Sequence, residues 1–64
     1  MHYYEVLVQI KYNNCDFWRE ETWSSKLEEY WEASESAKHC QELYAGKTNF
    51  DAINIIIKKI DVII

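Results

Sequence analysis

Apolar and polar positions alternate with period two along residues 3–12, YYEVLVQIKY. Tyr4, Val6, Val8, Ile10 and Tyr12 fall on one side and Glu5, Gln9 and Lys11 on the other. The pattern predicts a half-buried strand, built from the β-branched and aromatic residues that suit a pleated surface. Asn13-Asn14 then supplies a turn, because Asn tolerates positive φ and bonds its own backbone. At the other end, residues 52–64, AINIIIKKIDVII, fit two templates, since Ile53, Ile56, Ile57, Ile60 and Ile64 also sit at helical spacing. The density of Ile decides for a strand, where branched side chains keep their rotamers. Ile53, Ile55 and Ile57 then share a face, whereas Ile60, Val62 and Ile64 have the opposite parity. A β-bulge at Lys58-Lys59 is expected to bring both sets to one side, and the two lysines suit an exposed edge.

Between these strands, the stretch from Ser24 to Gly46 supports two readings. As a single helix from Ser24 to Tyr44, its apolar stripe of Leu27, Tyr30, Trp31, Ala37, Cys40 and Tyr44 is broken at Ser34. As strand then helix, Leu27, Trp31 and Ala33 alternate against Glu28, Tyr30 and Glu32, and Ser34 becomes the N-cap. The helix from Glu35 to Ala45 then buries Ala37, Cys40, Tyr44 and part of Gln41, with Gly46 as its left-handed stop. The second reading accounts for both helix ends and is preferred. The expected order is strand, turn, irregular acidic segment, strand, helix, strand. Its fold class is α+β: a three-stranded antiparallel sheet with one helix packed on a face, in a single domain spanning residues 1–64.

Composition narrows the function classes. With 48% apolar and 16% aromatic residues, the 64-residue chain has enough apolar surface to fold, though little to spare for both a core and a cleft. No apolar run reaches bilayer length, so no membrane role is expected. Cys15 and Cys40 form no CxxC unit, and no signal-peptide pattern opens the sequence. Free thiols and a cytoplasmic location follow as expectations.

Three candidate chemistries fail on spacing. His39 and Cys40 are helix neighbours whose side chains diverge by about 100°, so they cannot act as base and nucleophile. His2, Cys15, His39 and Cys40 lack the spaced doublets of a zinc site. The carboxylate pairs Glu20-Glu21 and Glu28-Glu29 read as a solvated acidic face rather than an acid–base dyad. The expectation is a non-enzymatic protein without metal or cofactor.

Charge is more informative. The net charge is −4, yet residues 16–35 hold seven acidic residues against only Arg19 and Lys26. Phe17, Trp18, Trp23, Tyr30 and Trp31 share this window. Trp31 is expected at the helix–sheet contact, with Phe17 or Trp18 closing one end of the core. A small sheet cannot bury every ring, and exposed Trp beside steering carboxylates is the composition of a protein-binding surface. The candidate partner-binding residues are Asp16, Trp18, Glu20, Glu21, Trp23, Glu28, Glu29 and Glu32. The expected partner is a larger protein with a basic nucleic-acid-binding surface. Direct nucleic-acid binding is disfavoured, because such grooves pair their aromatics with basic residues.

The junction WEASESAKHCQELYAG, with Ala33, Ser34, Glu35 and Ala37 at its helix start, resembles small phage and mobile-element proteins, among them several anti-CRISPR proteins. The resemblance covers roughly residues 26–64. It implies an inhibitor acting in the host cytoplasm by occupying a site on a larger protein, commonly the basic surface where a nuclease complex holds nucleic acid. The alternative is a homo-oligomeric structural or adaptor protein, a homodimer for instance, assembling through a C-terminal edge strand that ends in Ile63 and Ile64.

Overall fold

A computed structural model describes residues 1–63 of the chain, and Ile64 lies outside the described residues. The fold consists of β1 (His2–Tyr12), β2 (Arg19–Leu27), α1 (Tyr30–Tyr44) and β3 (Phe50–Asp61). The three strands form one antiparallel sheet in the order β2-β1-β3. The alternating strand β1 lies at its centre, and Val6, Val8 and Ile10 are fully buried beneath the helix, as their parity requires. The Asn13-Asn14 turn is present, with Asn14 at φ 64°.

The helix does not start at Ser34. Its N-cap is Glu29, and the Glu29 N–H donates to Glu32 Oε1 at 3.0 Å in the arrangement of a capping box. Helical pairing then runs through Ser34 without interruption, so neither the strand reading to Ala33 nor the helix from Ser24 holds. The pattern Ala33, Ser36, Ala37, Cys40, Tyr44 faces the sheet, and Ala33 and Cys40 are fully buried. These small residues let the helix axis approach the strands closely. Gly46 is not a left-handed stop either: Ala45 caps the helix in a right-handed conformation, and Gly46 has no positive φ. Glu32→Ala is therefore expected to cost about 1 kcal/mol, the usual worth of a cap, while Ser34→Ala is near neutral. Urea melts of the two variants check this directly, and the reverse ranking would restore the cap at Ser34.

Residues 19–27, expected to be mostly irregular, form β2. Its register against β1 shifts twice, once between Tyr4 and Val6 and once between Val6 and Leu7. Extra residues at such irregularities let neighbouring side chains share a face. Trp23 packs on the core cluster of Val8, Ile10 and Cys40, and the next residue, Ser24, pairs its hydroxyl with Ser36 of the helix at 2.6 Å.

On the other edge, β3 pairs with β1 without a break from Ala52 to Asp61. The bulge expected at Lys58-Lys59 is absent, and the one irregularity lies near Asp51, between the pairs Lys11–Ala52 and Tyr12–Phe50. Ile60 consequently stays on the opposite face, directly across from Tyr3, as Ile56 does across from Leu7. That face carries its own apolar stripe and no helix. Strand β3 ends at Asp61, so Val62 and Ile63 lie beyond it.

Covering one side only makes the molecule a slab of 43 × 22 × 10 Å with a radius of gyration of 13.1 Å. A compact chain of this length has a radius near 11 Å. Much of the surface is therefore available to partners.

Candidate binding surface

The acidic residues fall into two groups at opposite ends of β2. Asp16 lies in the β1–β2 connection, and Glu20 and Glu21 open the strand on opposite faces. Glu20 Oε2 accepts a hydrogen bond of 2.9 Å from Gln9 Nε2 on the helix-free face. Exposed Trp18 and Phe17 accompany this group, and the Arg19 guanidinium stands 5.8 Å from the Phe17 ring centroid. Glu28, Glu29, Glu32 and Glu35 surround the helix start about 20 Å away, the rise of the intervening strand.

The rings are distributed differently from the sequence expectation. Trp23 is half-buried in the core, in edge contact with Tyr44 at 6.2 Å, and so leaves the binding set. Trp31, expected inside, is 67% exposed. The helix geometry explains the exchange: nine residues at 100° each place Trp31 about 180° from buried Cys40. Tyr30 beside it is 58% exposed and touches Tyr4 edge-on at 5.6 Å. Trp31 and Tyr30 thus stand in the first helical turn among four carboxylates. The signal for this was Glu29-x-x-Glu32, which marks the helix start and fixes the outward side.

The helix dipole favours negative side chains at this end. Glu32 and the Glu29 backbone are also held by the cap, which gives the patch a defined shape. Such a surface repels phosphate and attracts cationic side chains, for which Trp31 offers an aromatic face.

The thiols lend no support to nucleophilic chemistry. Both are free; Cys40 is buried and its thiol is pushed up by desolvation. Adjacent His39 points elsewhere, 6.3 Å from Trp23 between ring centroids. Tyr44 is also raised, by burial first and then by Tyr12, Glu21 and Cys40 nearby. Both groups are acids held protonated by folding, so the unfolded chain releases their protons first. Their contribution is complete below about pH 8.5 and declines as pH rises further. A lower urea midpoint at pH 10 than at pH 7 is expected. Iodoacetamide should modify Cys15 in the native protein and Cys40 only after unfolding; rapid native labelling of Cys40 would contradict its burial.

No helix is long and apolar enough to cross a membrane among the described residues. No family model, curated protein or solved structure matches the chain.

Proposed function

We propose that this chain is a non-enzymatic binding protein that docks its β2–α1 corner onto a basic protein surface and blocks access of nucleic acid to it. The observation that carries the reading is Trp31, exposed in the first helical turn with Glu28, Glu29, Glu32 and Glu35 all within four residues of it. A large ring left in water offers apolar contact area, and carboxylates around it supply encounter rate and register with a cationic partner. The group of Asp16, Phe17, Trp18 and Glu20 at the far end of β2, with Glu20 on the helix-free face, provides a second contact along the same edge of the sheet. Two acidic groups about 20 Å apart along a rigid strand suit a surface that follows a nucleic-acid backbone. An inhibitor of a nuclease complex, of the phage anti-CRISPR kind and acting in the host cytoplasm, is the biological role that fits this contact.

The test is competition. The immobilised chain captures its partner from a host lysate, and nucleic acid is then added at constant ionic strength. Release of the bound protein by nucleic acid is expected; retention against saturating nucleic acid, with loss only in detergent, would sink the reading.

A further inference from the structure

The free edge of β3 is as informative as the acidic corner and points to a different partner. Strand β2 protects its own edge with Arg19, Glu20 and Glu21 and two irregularities. Strand β3 runs twelve residues, and among the described residues its outer side has no neighbouring strand. It presents backbone N–H and C=O groups to any chain that can pair with them.

The side chains say which chain that is. By register with β1, Ile53, Ile55, Ile57 and Lys59 lie on the helix-facing side, and at the irregularity Phe50 and Asp51 stand together opposite Tyr12 of that side, as two residues against one in a β-bulge. The face thus reads Asp-Ile-Ile-Ile-Lys. This series is complementary to itself when reversed. Antiparallel pairing of two copies centred on Ile55 sets Ile53 against Ile57 twice, Ile55 against itself, and Asp51 against Lys59 twice. On the other face Lys58 falls opposite Ala52 of the second copy, while Glu5 lies across from it on β1 of its own chain. Sliding the register by two residues sets Lys59 against Ile53, or Asp51 against Ile57. On the helix-facing side, the Ile55 register is the one of these that matches charge with charge and apolar with apolar.

The packing beside the strand fits the same arrangement. A groove of ≈ 440 Å³ runs between α1 and β3, with Ala37 and Gln41 on its wall and Ile53, Ile55 and Ile57 on its floor. Those isoleucines are only half-buried. A two-fold axis perpendicular to the sheet keeps both helices on one side and joins the two grooves over six isoleucines. The chain also exposes 4895 Å², against about 4300 Å² for a compact monomer of this mass. We propose that the protein forms a two-fold dimer through β3–β3 pairing centred on Ile55, giving a six-stranded sheet with Asp51–Lys59 pairs at both ends of the seam. The β2 edges and Trp31 lie at the outside of this dimer, so the inference stands independently of the proposed docking function.

A charge-swap cycle tests the pairing and its register, using two residues exposed in the single chain. Sedimentation equilibrium is run on the full chain, on Asp51→Lys, on Lys59→Asp and on the double variant, with circular dichroism as the folding check. The wild type should sediment at twice its 7.7 kDa mass. Each single variant creates two like-charge pairs and should raise the dimer dissociation constant about tenfold; the double variant should restore it. A wild-type chain that stays monomeric to millimolar concentration overturns the proposal, as does a dimer indifferent to both single swaps or one that the double variant fails to rescue.

Discussion

Ile10→Ala is expected to remove most of the protein's stability. The fully buried side chains are only Val6, Val8, Ile10, Ala33 and Cys40 among the described residues, and Ile10 belongs to the cluster against which Tyr12, Trp23, Tyr44 and Phe50 pack. A 64-residue domain holds about 3–10 kcal/mol in total, while truncating a buried Ile to Ala costs about 2–5 kcal/mol. The aromatic rings over it are arranged edge to face, Tyr44 lying 5.9 Å from Phe50, and cannot collapse into the space without losing that geometry. The control is Ile56→Ala on the helix-free face, where the side chain is 37% exposed and loses about 1 kcal/mol or less. Urea denaturation of the pair measures the difference, and equal losses would mean that the core is not under the helix.

Reversing Glu20, Glu21, Glu28 and Glu29 to Lys is expected to abolish partner binding. Each reversal adds two charges, so the net charge moves from −4 to +4. Both ends of β2 then repel the cationic surface they are proposed to meet, and affinity should fall about a hundredfold or more, chiefly through the association rate. Lysines near the helix start also act against its dipole, at about 0.3–1 kcal/mol each. The Gln versions at the same positions separate these effects, since they lose the attraction without reversing it; they should bind about tenfold more weakly while remaining folded. A partner that binds the Lys variant normally at moderate salt would exclude the acidic corner as its contact.

The parts of the fold that could be read from sequence are those where burial dictates side-chain type. Strand β1 showed its parity because one face is covered and the other is not, and β3 showed its β character through branched residues that disfavour a helix. Strand β2 was hidden for the opposite reason. An edge strand held by backbone bonds to a strong central neighbour needs no apolar face, and REETWSSKL contains little of one. Missing β2 moved the next strand into residues that belong to the helix. The capping box Glu29-x-x-Glu32 went unread beside Ser34, the better cap by residue type, although helical pairing runs through Ser34. One misplaced helix start then exchanged the roles of Trp23 and Trp31.

The candidate surface was only partly readable. Its acid content is a property of composition and survives intact, but composition does not show that β2 separates the carboxylates into two groups, nor that Glu20 and Glu21 point to opposite faces. The lysine pair behaved as an edge marker without a bulge, because the helix-free face carries its own apolar partners for Ile60 in Tyr3 and for Ile56 in Leu7.

Exposure of Trp31 as a binding anchor is the claim on which the functional account stands, and truncating that ring measures it. With the captured partner in hand, its dissociation constant for the wild type and for Trp31→Ala is determined by titration at physiological salt. The account predicts at least a roughly thirtyfold weaker complex, as for an interface hot spot, with an unchanged far-ultraviolet circular dichroism spectrum. An unaltered dissociation constant for a folded Trp31→Ala protein would contradict it.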